Sequence, residues 1–166
     1  MTPAETEGYF RSLTELKQEY SRDIKIYIGF EAEYIPQLVE AQDKLLADYP
    51  LDYMIMGQHF NDPEYDGAYM GAPVYEESLL IQYVDRIIEG MESGRYRYIA
   101  HPDLIRYMGG SEEYEKHMTR LCTFLKALYG KPSSLLFAAR MAFKGYPQNP
   151  QLLILRPSLS GPGSQE

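Results

Sequence analysis

The chain has 166 residues, 45 % of them hydrophobic and 24 % charged, which excludes a disordered chain and suffices for one domain with a sizeable core. A formal net charge of −8 excludes general nucleic-acid binding, because phosphate neutralisation needs clustered Lys and Arg. The single cysteine, Cys122, excludes an intrachain disulfide framework, no apolar run reaches the roughly 18 residues of a membrane span, and no signal peptide opens the chain, so a cytoplasmic protein is expected.

Thr2-Pro3 reads as a helix start, a capping residue followed by proline at the first helical position. Phe10, Leu13, Leu16 and Tyr20 follow at helical spacing. The alternating stretch DIKIYIGFEAEY then predicts a strand from Ile24. Pro36 opens a second helix, with Leu38, Val39, Leu45 and Leu46 inward. DYMIMGQHF has the length of a short buried strand, and NDPEYDGAYMGAPVY reads as a turn-rich loop. From Glu76 to Met91, Leu79, Leu80, Tyr83, Val84, Ile87 and Ile88 form the stripe of a third, amphipathic helix. YRYIAH is a third strand. Ser111 caps a fourth helix, Glu112 and Glu113 suit its positive end, and Gly130 stops it. SSLLFAARMAF fits a further strand and a helix equally.

Charge divides the chain unevenly. Residues 1–115 carry 23 of the 24 acids, whereas residues 116–165 carry none against seven Lys and Arg. The chain ends RPSLSGPGSQE, which has little means of packing. The expected organisation is one domain over residues 1–155 and a disordered tail over 156–166. Alternation of helix and strand points to an α/β class with parallel strands and crossover helices. A closed barrel takes roughly 250 residues, so this chain accommodates about half of one.

In such folds functional groups gather at the carboxyl ends of the strands. Those ends read GFEAEY, GQHF and AHPD here, presenting Glu31 with Glu33, His59, and His101 with Asp103. Neighbouring parallel strands lie about 4.8 Å apart, so side chains from three successive ends can converge. Glutamate and histidine are metal-ligand types; imidazole suits zinc, iron and manganese, and a carboxylate can bridge two ions. Each is also an ordinary structural residue at a strand end. Glu33 reads as a solvent-facing alternate in preference to a ligand, and Asp103 reads as a turn cap as readily as a ligand. His117, in mid-helix, reads as structural, and Cys122 as a small core residue. Arg106, just beyond HPD, suits a phosphate contact or a plain surface position. Gly109-Gly110 offers an anion a helix N-terminus or makes a simple turn, and Glu112 and Glu113 would repel the anion.

The stretches IKIYIGFEAEY, LDYMIMGQHF and YRYIAHPDLIRY, in this order and at this spacing, resemble histidinol-phosphatases of the polymerase and histidinol phosphatase (PHP) superfamily. The helix YFRSLTELKQEY and the segment YPQNPQLL add to the resemblance. It implies a partial distorted (β/α)7 TIM-like barrel with a metal cluster of zinc, manganese or iron at the strand ends. It implies metal-dependent hydrolysis of a small phosphorylated substrate, L-histidinol phosphate to L-histidinol and phosphate, in histidine biosynthesis. Glu31 would be the bridging carboxylate, His59 and His101 single-ion ligands, and all three catalytic, with Arg106 binding substrate. Another phosphoesterase of the superfamily, acting on phosphodiesters or phosphotyrosine, is the alternative, as is a non-catalytic partial domain acting in protein association. The family's opening HxH pair and its closing aspartate and histidine have no counterpart here. A fragment with a tail read in a shifted frame, of little or no turnover by itself, is therefore expected. Its unpaired sheet edge would favour a homo-oligomer.

Overall fold

Ten elements follow the chain in a computed structural model that describes residues 2–63 and 67–129. They are α1 (Pro3–Glu19), β1 (Gly29–Ala32), a 3-10 turn (Pro36–Leu38), α2 (Val39–Leu46), β2 (Tyr53–Met56), β3 (Pro73–Val74), α3 (Glu77–Glu92), β4 (Tyr98–Ile99), β5 (Arg106–Tyr107) and α4 (Ser111–Tyr129). The start of α1 is a full capping box. Thr2 Oγ1 accepts from the Glu5 N–H at 3.3 Å, and the Glu5 carboxylate accepts from the Thr2 N–H at 2.6 Å. Two orphan donors of the first turn are thereby satisfied.

β1, β2 and β4 form a parallel sheet in the order β1-β2-β4. Its register places Glu31 beside Ile55 and Ile55 beside Tyr98; the next row is Ala32, Met56 and Ile99. Because side chains alternate across a strand, these two rows face opposite ways. The Ala32–Met56–Ile99 row packs into the larger core with Leu80, Tyr83, Val84 and Ile87 of α3, each fully buried. Phe30 and Met54 share that face and meet a second cluster, in which Phe10 of α1 stacks on Tyr49 at 4.4 Å beside Ile28 and Leu46. Glu31, Ile55 and Tyr98 stand on the other face, away from the helices.

The expected strand from Ile24 is shorter than its pattern, beginning only at Gly29. Ile24 and Tyr27 are 57 % and 56 % exposed, and no described strand lies beside them to pair with. The Asp52 carboxylate ends this lead-in by accepting the Ile28 N–H and the Lys17 ammonium, each at 2.7 Å. That pairing with Lys17, then the Ile28 bond, holds its carboxyl below the usual range. The second expected helix divides into the 3-10 turn and α2, of which only Leu46 is buried. The expected loop after β2 contains β3, which pairs in parallel with β5 as a second, two-stranded sheet. Neither two-residue strand has a local signal, because each exists only through its partner 33 positions away.

α4 packs along α3 through Met118, Leu121 and Leu125. His117 is buried and its Nε2 lies 2.9 Å from the Glu77 carboxylate at the start of α3, a structural tie. Cys122 is half-buried on this helix, and burial raises its thiol. The parallel α/β arrangement with crossover helices is present. A closed (β/α)7 barrel is not, among the described residues, which supply three strands to one sheet and two to the other. No described helix is long and apolar enough to cross a membrane. SSLLFAARMAF, YPQNPQLL and the 156–166 tail lie outside the described residues.

Gly90 lets α3 approach the sheet. A Cβ there would stand 2.8 Å from Met56 Cε and from Tyr34 Cβ. Methionine's end can move, but Tyr34 Cβ is tied to the backbone. Gly90→Ala would gain about 1 kcal/mol of helix propensity and lose about 1–3 kcal/mol to overpacking. A net fall in the urea midpoint is expected, and an unchanged or higher midpoint would show that the helix can back away from the sheet.

Candidate metal centre

Glu31 projects from β1 onto the face that the helices leave open. It reaches across the end of β2, where Gly57 offers no side chain. A Cβ at Gly57 would overlap the Glu31 carboxyl group, 2.7 Å from its carbon. The cradle for this carboxylate is therefore the missing side chain of the neighbouring strand. Gly57 is not among the positive-φ residues, so its backbone tolerates alanine. Gly57→Ala should leave thermal stability within about 0.5 kcal/mol, since only the part-exposed Glu31 side chain, from its Cγ outward, must move. It should displace Glu31 and weaken divalent-ion binding by about tenfold or more. Isothermal titration with zinc or manganese reads this, and unchanged affinity would show that the cradle does not position the carboxylate.

His59 lies two residues beyond Gly57, so an extended chain returns it to the same open face. Its Nε2 is 3.8 Å from Glu31 Oε1, and its Nδ1 is 3.2 Å from Glu33 Oε1. The backbone N–H of His59 donates to that same Glu33 oxygen at 3.2 Å. Gln58, fully buried between them, clamps the ends of β1 and β2 together. Its amide accepts from the Tyr34 N–H at 3.0 Å and donates to the carbonyls of Tyr34 and Phe60 at 3.1 and 2.6 Å. Tyr69 lies nearly parallel to the His59 ring at 6.5 Å.

His101 arrives differently. Ala100 continues the ladder, its N–H donating to the Met56 carbonyl at 2.8 Å. Regular alternation would then turn His101 toward the helix side, as Ile99 is turned. Instead His101 adopts φ 37°, the one positive value among the described non-glycine residues. Proline follows it, and a pre-proline residue is normally held near φ −120°, so the conformation is doubly disfavoured. The strain redirects the imidazole, whose Nε2 lies 3.5 Å from Glu31 Oε1. The surrounding turn is secured by the Leu104 N–H donating to the His101 carbonyl at 3.0 Å. Buried Tyr83 donates its hydroxyl to the Pro102 carbonyl at 3.2 Å. Burial, then the nearby Asp103, pushes the Tyr83 phenol up, so it stays a donor.

Glu31, His59 and His101 thus offer one ligand atom each, all within 4.8 Å of one another. Ligand bonds of about 2.0–2.2 Å place donors on one ion up to about 4 Å apart, so modest closing of the side chains completes the set. Two imidazoles and one carboxylate suit zinc, iron or manganese. The residues fit a divalent ion, and side-chain exposures of 41 %, 33 % and 37 % leave the site open to an incoming ligand. Arg106 is not one of these three. It lies exposed on β5, its N–H donating to the Met70 carbonyl at 2.9 Å. No hydrogen bond or ion pair links its side chain to them among the described residues. Asp103 and His117 are also outside the group. At Gly110, just before α4, the Glu113 carboxylate occupies the space a side chain would take, and its charge opposes an anion there.

Glu33 is a correction to the sequence reading, which turned it to solvent. It is 21 % exposed in its side chain and faces His59. The signal was there: Glu31 and Glu33 are two apart in extended chain and so share a face. Gly57 and Gln58 carried no comparable signal.

The PHP domain family matches residues 4–130 of the chain. No curated protein matches it. The crystal structure of histidinol phosphate phosphatase (HisK) from Lactococcus lactis subsp. lactis Il1403, complexed with zinc, L-histidinol and phosphate, is similar in fold, with a TM-score of 0.52 at 17 % identity. The likeness covers 75 % of this chain and 51 % of that one, so the chain spans about half the length of that protein.

Proposed function

The chain belongs to the PHP domain family, and from that premise we propose that Glu31, His59 and His101 bind a divalent ion in a site that hydrolyses a phosphomonoester, L-histidinol phosphate. The observation carrying the reading is the convergence of three ligand atoms from three successive parallel strand ends. The substrate is suggested by the relative of similar fold, which holds zinc, L-histidinol and phosphate.

Each residue has a distinct task. Glu31 Oε1 faces both imidazole Nε2 atoms and supplies the negative charge that draws a cation to them. His59 and His101 bring neutral nitrogen donors held by different means, one by a carboxylate and the other by its backbone. A divalent ion bound there supplies positive charge that polarises a phosphoryl oxygen and acidifies a water. The open face admits the phosphate, and Arg106 is the candidate for a further contact to it. Three protein ligands suffice for one ion, so slow turnover is expected.

Elemental analysis of the purified chain after loading with manganese or zinc should find about one ion per chain, consistent with a three-ligand site. Phosphate release should then be faster from L-histidinol phosphate than from a phosphodiester or phosphotyrosine, and absent in Glu31→Gln. Wild-type chain without bound ion, or release that persists in Glu31→Gln, would overturn the reading.

A further inference from the structure

Glu33 contacts His59 twice through one oxygen, and both contacts come from nitrogen. Oε1 lies 3.2 Å from the His59 backbone N–H donor and 3.2 Å from Nδ1. A carboxylate oxygen has only lone pairs to offer, so an Nδ1 without a proton would face it with a second lone pair. The contact is attractive only with the proton on Nδ1. Neutral imidazole carries one proton, which leaves Nε2 bare, and Nε2 is the atom turned to Glu31. Turning the ring over would set a C–H against the carboxylate, and the parallel ring of Tyr69 lies along one side. The backbone of Glu33 is itself fixed: its main-chain carbonyl accepts from the Tyr96 hydroxyl and from Gln42 Nε2, each at 3.0 Å.

We infer that Glu33 is a positioning residue, whose carboxylate holds His59 in the Nδ1–H tautomer and so presents the Nε2 lone pair to a divalent cation shared with Glu31 and His101. The cation half rests on the function proposed above; the tautomer half does not. Glu33 acts through His59 and is not a ligand. The two histidines are thereby prepared by separate devices, a hydrogen bond for His59 and a strained backbone for His101.

The test reads tautomer and affinity separately. Long-range proton–nitrogen NMR correlations of the metal-free protein, under alkaline conditions where imidazole is neutral, distinguish the protonated ring nitrogen from the bare one. His59→Gln identifies the signal. Wild type should show His59 protonated at Nδ1. Glu33→Ala should move it toward the Nε2–H form, and Glu33→Gln, which keeps an acceptor oxygen, should largely retain Nδ1–H. In zinc titrations Glu33→Ala should bind about 10–100-fold more weakly, as is usual for losing a partner behind a ligand histidine. Glu33→Gln should recover most of that loss. A wild-type His59 protonated at Nε2 overturns the inference without any variant being needed. So does a Glu33→Ala tautomer that does not change, or a Glu33→Gln that loses as much affinity as alanine, which would make Glu33 a ligand. A tautomer that shifts as expected in a wild type that binds no zinc supports the positioning role and sinks the metal reading instead.

Discussion

His101→Gly should abolish divalent-ion binding while leaving the fold as stable as before or more so. The imidazole is one of three ligands, and its loss should cost more than the roughly 10–100-fold typical of losing an outer partner. A two-residue remnant of Glu31 and His59 falls short of the three protein ligands usual at a catalytic zinc. Stability follows a different balance. His101 sits at φ 37° before proline, a conformation that costs a non-glycine residue on the order of 1–3 kcal/mol. Glycine adopts it freely, but its greater freedom in the unfolded chain costs about 0.5–1 kcal/mol. The imidazole is exposed and its removal opens no cavity, so the sum should lie between about zero and a gain of about 2.5 kcal/mol. His101→Ala should lose the ion equally and keep the strain. Denaturant unfolding of the metal-free proteins should therefore rank glycine above alanine. An order of alanine above glycine would show that the backbone at His101 is not strained. Retained ion binding in either variant would remove His101 from the site.

Gln58→Met should be among the most damaging single changes in the described chain. Methionine nearly matches glutamine in volume and fills the same fully buried space, so no cavity forms and no room for water appears. It leaves the Tyr34 N–H and the carbonyls of Tyr34 and Phe60 without the bonds Gln58 makes. An unsatisfied buried polar group costs about 1–3 kcal/mol, and these three bonds are part-buried, so their joint loss should cost about 3 kcal/mol. A loss below about 1 kcal/mol would show that these groups reach other partners. Because the clamp joins the ends of β1 and β2, ion binding should also weaken, through separation of Glu31 from His59. Gln58→Glu, which keeps the acceptor but sets a buried carboxylate against the two carbonyls that now receive donated bonds, should cost at least as much as methionine.

Much of the architecture was legible from local pattern. Thr2-Pro3 starts α1, the apolar stripe of α3 lies where its spacing predicts, and the three strand ends carrying Glu31, His59 and His101 belong to one parallel sheet. Such features depend on neighbours within a turn of helix or two residues of strand, a distance at which sequence spacing and geometry are nearly the same thing. The alternation of DIKIYIG was legible too and still misled. Periodicity shows that a segment suits a strand, whereas only a partner makes it one, and residues 24–28 have none among the described strands.

By itself the sequence determined which residue types reach the strand ends and in what order, and so which chemistry was available there. The tertiary structure alone decided how they face one another. Gly57 matters because Glu31, 26 positions earlier, lies over it; Glu33 matters because His59 folds back to it; β3 exists because β5 comes alongside. The φ of His101 was likewise invisible, since local preference before proline opposes it and the closing turn, Tyr83 on Pro102, and the sheet behind it impose it together. Local preferences amount to about 1 kcal/mol per residue, and packing that buries several side chains at once overrides them wherever distant segments meet.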